Sequence, residues 1–385
     1  MNFTPPPLRL RTGVLDRKLS SAALSELDHV VVVLGATFKP KSLASVPFGN
    51  TVKTLRDQAR SKTGLMQGIV QSKRQVGLTV VTLPKVGGAF EFNTLARRVL
   101  SAALRANPAR IGVHIEADDE ARQFIAVALT RAALAACAPL PHYKSRRGPK
   151  PKLRALTFYG AVKLDFTRLK IEAEANHLAR WITAQPPNML DANALVKGAL
   201  GVASTIGCDA QVYDELALNR LGAGAFLAVA RANAHSDAAI VHLERRGPGK
   251  RIALVGKGVC YDTGGINVKP ANYMNGMHED MEGSAVALAS FLAMTRLDPD
   301  AHLDCWLAVT ENRINSHAYT PNEVVTAIDG TSIEVIHSDA EGRMALADTL
   351  ILVSRNKPDL IIDYATLTGA CVAALTTAYT GVFTN

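Results

Sequence analysis

Three short stretches hold residues able to do metal chemistry. KGVCYDTGGINVK supplies Lys257, Asp262 and Lys269; MHEDMEGSA supplies Asp280; HSDAEGRMALADTL supplies Asp339, Glu341 and Arg343. Three aspartates and a glutamate among glycine-rich turns offer the oxygen donors that divalent Mg, Mn and Zn accept, and no histidine belongs to the set. In DAEGR, alternate side chains of an extended loop point the same way, so Asp339 and Glu341 are expected to converge on one ion. Four carboxylates carry four negative charges, which two dications balance and one does not, so the count favours a binuclear centre. Such a centre activates a bridging water and polarises the carbonyl it attacks, which is hydrolysis without a covalent intermediate. Neither GxSxG nor HExxH occurs in the chain. Plainer readings exist for each piece: Asp280 as a helix N-cap, DTGG as a turn, Glu341 with Arg343 as a surface ion pair. They leave unexplained why four carboxylates and two lysines all follow strands of one domain.

Positioning these residues requires a scaffold, and in an open α/β sheet ligands gather where strands end. HVVVVLG, VGLTVVTLP and RIGVHIEA read as buried strands, with helical apolar spacing in NTLARRVLSAALRAN and DDEARQFIAVALTRAALAAC. Residues 1–140 are therefore expected to form an α/β domain with a largely parallel sheet. Residues 141–170 read as a connector, because the basic run from Lys144 to Arg154 is broken by glycine and proline, and as the start of a linking helix. That helix, from about Ile171 to Thr183, stops at QPPNML because paired prolines cannot continue its hydrogen-bond ladder. Residues 171–385 form a second α/β unit, with strands expected at AQVYD, AFLAVA, AAIVHLE, RIALVG, LDCWLAV and DLIIDYA and a long helix from about Gly283 to Arg296.

Composition narrows the classes further. The chain has 385 residues, beyond the range where one core usually suffices, and 48% hydrophobic with 20% charged residues gives no support for disorder. The opening MNFTPPPLRLRTG lacks an apolar run after its charges, and no later segment is apolar enough to span a bilayer. Five scattered cysteines without a CxxC pair indicate neither a disulfide framework nor a zinc ribbon, which suits a reducing cytoplasm. The net charge of +9 admits nucleic acid as a partner without specifying it.

The motifs resemble those of the leucyl aminopeptidases, also called cytosol aminopeptidases. GKGVCYDTGGINVKP is similar to that family's first metal-binding stretch, DMEGSA to its DMGGA, and HSDAEGRMALADTL to its NTDAEGR signature, the most specific of the three. The likeness runs from Ile171 to Asn385 and implies a C-terminal catalytic α/β/α domain with a central mixed sheet, behind a smaller N-terminal α/β domain. It implies two cations per subunit, Mn or Zn. Lys257, Asp262, Asp280 and Glu341 would hold the tighter ion; Asp262, Asp339 and Glu341 would hold the more exchangeable one. Lys269 would stabilise the oxyanion of the attacked carbonyl, Arg343 would hold a bicarbonate as general base, and Met277, Thr366, Leu367 and Gly369 would line the substrate cleft. Short peptides would be the substrates and a homo-hexamer the assembly, in the cytoplasm and away from membranes.

A lysine ligand must be neutral, since an ammonium has no lone pair. A dication about 4 Å away at an effective dielectric near 20 repels an ammonium by roughly 8 kcal/mol, or about six pKa units, enough to deprotonate Lys257 on loading. Lys269 must keep its proton to act as an electrophile. Two departures stand out: Glu282 where the family has glycine, and His337-Ser338 where it has Asn-Thr. The family also continues beyond the segment DYATLTGA, so an uncovered apolar surface and an open sheet edge are expected near the end of this chain. A nucleic-acid-binding relative and a catalytically silent one are the alternatives to the peptidase.

Overall fold

The computed structural model describes residues 4–36, 43, 46–59, 64–84, 88–146 and 151–385. The chain forms two compact units, Pro6–Ala173 and Glu174–Asn385, and passes from one to the other within the helix Phe166–Thr183.

In the first unit the strands are β1 (Arg11–Leu15), β2 (His29–Leu34), β3 (Met66–Gln71), β4 (Gln75–Thr82), β5 (Arg110–Glu116) and β6 (Ala155–Tyr159). They form one sheet in the order β1-β6-β5-β2-β4-β3, parallel throughout except for the β3–β4 pair. β2 shows why its sequence is an unbroken apolar run. Val31 and Val33 face one core with Leu100 and Leu129 of the helices Ala89–Leu104 and Asp119–Cys137, while Val30 and Val32 face another core with Phe48 and Val52. A parallel sheet covered on both faces needs no polar alternation.

The stretch 141–170 is more than a connector, because it contains β6, which pairs with both β1 and β5. Of the basic run, residues 147–150, including Arg147, lie outside the described residues; Lys144 and Arg146 are exposed. No helix among the described residues is long and apolar enough to cross a membrane.

The second unit contains β7 (Asp209–Asp214), β8 (Ala239–Arg245), β9 (Arg251–Asp262), β10 (His302–Asn312) and β13 (Leu360–Tyr364) in a mixed sheet ordered β13-β9-β10-β8-β7, plus a hairpin of β11 (Val324–Thr326) and β12 (Ser332–Glu334). β9 runs parallel to β10 and β13, and β8 antiparallel to β10 and β7. Alternation along β10 builds three layers. Leu303, Cys305, Leu307 and Val309 pack with the helices Ala192–Ile206 and Glu282–Leu297, whereas Trp306 and Ala308 pack with the helices Gly224–Ala230 and Glu341–Arg355. The fold class is thus the expected α/β with a mixed central sheet.

AFLAVA, expected as a strand, is the helix Gly224–Ala230. A short apolar run carries no periodicity that separates the two states. What decides is the tertiary setting: Gly222, at φ +76°, closes the preceding helix Glu215–Leu221, and the buried Asp348 carboxylate accepts from Phe226 N at 2.8 Å in the first helical turn.

Candidate metal centre

β9 and β10 end together, and their last residues begin the site. Lys257 lies on β9 with 1% exposure. A strand offers a buried ammonium no water, so its partners must come from elsewhere. Nζ donates to Asp280 Oδ1 at 2.7 Å and to the Thr366 carbonyl at 3.1 Å, and lies 2.8 Å from Glu341 Oε1. Gly342 permits this approach, since a Cβ there would sit 2.7 Å from Lys257 Cε.

Asp262, the last residue of β9, accepts from Gly264 N and Asn312 Nδ2, both at 2.8 Å. Its other oxygen lies 2.8 Å from Lys269 Nζ, which also pairs with Asp339. Asp280 does not cap the helix Glu282–Leu297; it faces Lys257 and accepts from Thr366 Oγ1 at 2.7 Å.

Ligand atoms of Asp262, Asp280 and Glu341, all three residues buried, lie within 4.8 Å of one another. Asp339 is outside that triad and joins it through Lys269. The expected extended DAEGR loop is instead a single 3-10 turn, Ser338–Ala340, running into the helix Glu341–Arg355. Asp339 therefore reaches the site from the turn and Glu341 from the first helical position, rather than as alternate residues of a strand.

Electrostatics favours a cation here. Four carboxylates face two ammonium groups, an excess of two negative charges in a largely buried place. Burial, with Glu341 adding to it and Lys257 opposing, pushes the Asp280 carboxyl up to about 7. Burial works against the Lys257 ammonium, but Asp280 and Glu341 outweigh it and raise its pKa. Lys269 is raised likewise, burial being outweighed by its hydrogen bonds to Asp262 and Asp339. Glu341 Oε2 is buried with no hydrogen-bond partner among the described residues, an oxygen with a free lone pair pointed nowhere else. A buried oxygen-donor set short of positive charge fits hard divalent cations.

The other expected site residues are placed as follows. Arg343 is exposed one residue into the helix beyond Gly342 and forms no ion pair with Glu341, whose partner is Lys257. Met277 is half-buried in the 3-10 turn Met277–Glu279 that leads to Asp280. Thr366, Leu367 and Gly369 follow β13, and of these Thr366 touches both Lys257 and Asp280. Glu282 is exposed in the first turn of its helix. His337 is exposed and its Nδ1 accepts from Asp339 N at 3.2 Å, which makes it a cap of the 3-10 turn. Asn267, Asn312, Tyr319 and Ser338 bind the loops together; of these the sequence had marked only Ser338, as a departure from the family pattern. Of the others, Asn312 alone carried a usable signal, its place at the end of a strand.

A sequence model described as "Cytosol aminopeptidase family, catalytic domain" matches residues 177–385. The probable cytosol aminopeptidase of Persephonella marina is 40% identical over 218 residues, which are 56% of this chain and 44% of that protein. That of Solibacter usitatus is 33% identical over 320 residues, 80% of this chain and 66% of that protein. The chain spans about half the length of the curated relatives it matches. Among solved structures, the leucyl aminopeptidase of Leishmania major in complex with actinonin is similar at a TM-score of 0.78 and 25% identity, covering 96% of this chain and 75% of that one. The leucyl aminopeptidase of Trypanosoma cruzi is similar at a TM-score of 0.79 and 25% identity, covering 96% and 76%.

Proposed function

The chain belongs to the cytosol aminopeptidase family, and on that premise we propose that it is a metal-dependent aminopeptidase that removes N-terminal residues, leucine and similar, from short peptides. The observation that carries this reading is the buried triad of Asp262, Asp280 and Glu341, which with Asp339 sets four carboxylates against only two lysines. Lys257, Asp262, Asp280 and Glu341 would hold one divalent cation, and Asp262, Asp339 and Glu341 a second, Mn or Zn. When bound, the pair supplies a water nucleophile of lowered pKa and polarises the scissile carbonyl.

The chain's own groups do the rest. Lys257 must shed its proton to ligate, so loading releases a proton that calorimetry in buffers of different ionisation enthalpy can count. Asp262 and Asp339 raise the pKa of Lys269, and with its proton kept it would donate to the oxyanion that develops on the substrate. The exposed Arg343 guanidinium would hold a bicarbonate that accepts the water's proton, and Met277, Thr366, Leu367 and Gly369 would line the cleft. A homo-oligomer, hexameric by family resemblance, and a cytoplasmic location complete the proposal.

The purified chain, supplied with Mn or Zn, should hydrolyse a leucine anilide, and Glu341→Gln or Asp339→Asn should lower kcat/KM at least about 100-fold. Hydrolysis indifferent to both substitutions contradicts the reading. Uptake of metal without hydrolysis would instead mark a silent relative.

A further inference from the structure

The parallel pairing of β9 and β10 runs in register to Thr310 opposite Val259 and is then interrupted by a bulge, after which Asn312 stands opposite Asp262. From this position the Asn312 side chain reaches both the end of β9 and the turn that carries Asp339. Its Nδ2 donates to Asp262 Oδ1 at 2.8 Å and to the Ser338 carbonyl at 3.1 Å. Both partners are acceptors, so the orientation of the amide is fixed by chemistry. Asn312 is 1% exposed, and its Oδ1 has no donor among the described residues. The side chain therefore leaves one polar atom unsatisfied while keeping both donor bonds.

Ser338 is where the second loop is gripped. Its carbonyl, which belongs to the peptide preceding Asp339, also accepts from Tyr319 Oη at 2.6 Å. Its Oγ donates to the Gly264 carbonyl at 2.7 Å and accepts from Asn267 N at 2.8 Å, and its N donates to Asn267 Oδ1 at 2.8 Å. Gly265, at φ +66°, lets the loops close, because a Cβ there would lie 2.9 Å from Ser338 Oγ and 3.1 Å from Asn312 Oδ1. On the other side of the site, Asp280 and Glu341 are held by Lys257 and Thr366, without Asn312.

We propose that Asn312 is a positioning residue that sets Asp262 and the Asp339 turn at the separation a cation needs, and that the cation on the Lys269 side depends on it far more than the cation on the Lys257 side. This rests on the two-cation reading above. One amide touches a carboxylate shared by both ions and the backbone of the ligand unique to the second, so its loss should be felt unequally.

The test is calorimetric titration of the full chain with Mn²⁺ alone, together with the electron paramagnetic signal of coupled Mn pairs and a thermal melt. The wild-type chain should take up two ions. Asn312→Leu should weaken the second ion about 10–100-fold and lose the coupled signal at limiting metal, with the first ion changed by less than about threefold. Equal weakening of both ions, or none, overturns the proposal. Tyr319→Phe keeps the ring in the core and removes only the second donor to the Ser338 carbonyl; it should weaken the same ion by a smaller factor. Should Asn312→Leu fail to fold, Tyr319→Phe decides alone, and unchanged or evenly weakened affinities overturn the proposal. A wild-type chain that takes up fewer than two ions overturns the two-cation reading itself, and this proposal with it.

Discussion

The lysine at the centre of the site exists only because its neighbour lacks a side chain. Gly342→Ala would place a Cβ 2.7 Å from Lys257 Cε and 2.8 Å from Nζ, and the triple grip of Asp280, Glu341 and the Thr366 carbonyl leaves that chain nowhere to retreat. The variant should bind Mn²⁺ at least about tenfold more weakly, read as metal content after dialysis; wild-type stoichiometry and affinity would contradict this. Thr366→Val tests the other hand on Asp280, since it removes the 2.7 Å bond from Oγ1 while keeping the branched shape. It should weaken metal binding about 10–100-fold, and an unchanged titration would show that Thr366 contributes only its carbonyl. The carboxylates and lysines were legible in the sequence because charge and strand-end position both mark them. The hydrogen-bonding roles of Thr366 Oγ1, Asn312 and Ser338 were not, because a neutral side chain has no spacing signature; its role depends on which distant loop folds against it.

Among the elements, the helix Glu341–Arg355 serves the site at one end and the fold in its middle. Asp348 Oδ2 accepts from Phe226 N and Oδ1 from Ile328 N, each at 2.8 Å, tying that helix to Gly224–Ala230 and to the turn that joins β11 to β12. Asp348→Ala leaves one buried and one half-buried N–H unmet and should cost about 2–4 kcal/mol in a urea midpoint, with Mn²⁺ stoichiometry kept; a midpoint within error of wild type would contradict the tie. In the first unit, burial pushes His29 on β2 down to about 4, and its Nε2 pairs with Thr79 Oγ1 on β4 at 2.8 Å. The folded state holds His29 neutral while the unfolded chain protonates near pH 6.5, so this stability is present above that value and is lost as pH falls toward 4. Between pH 7 and pH 5 the loss should be roughly 2 kcal/mol, absent in His29→Leu; equal acid sensitivity of both proteins would contradict it. Most strands were readable from their β-branched runs. β6 was obscured by the basic run before it, and Gly224–Ala230 was misread because its helical state is decided by Asp348, more than a hundred residues away.

At the scale of the whole chain, β13 is the last strand of its sheet, and it exposes Leu360 and Ile362 beside Leu367, Val372 and Leu375 of the segment that follows. The sequence foresaw the two α/β units and the mixed sheet of the second, but placed the division before β6 because a pairing across the chain leaves no local trace. Beneath activity, assembly and stability lies one claim: four carboxylates and a neutral lysine enclose two adjacent cations. Anomalous diffraction at the manganese edge, from crystals grown with excess Mn²⁺, addresses it without relying on turnover. Two peaks are expected, one within ligating distance of Lys257 Nζ, Asp280 and Glu341 and one beside Asp339, with Asp262 reaching both; density without peaks among these side chains would contradict the claim.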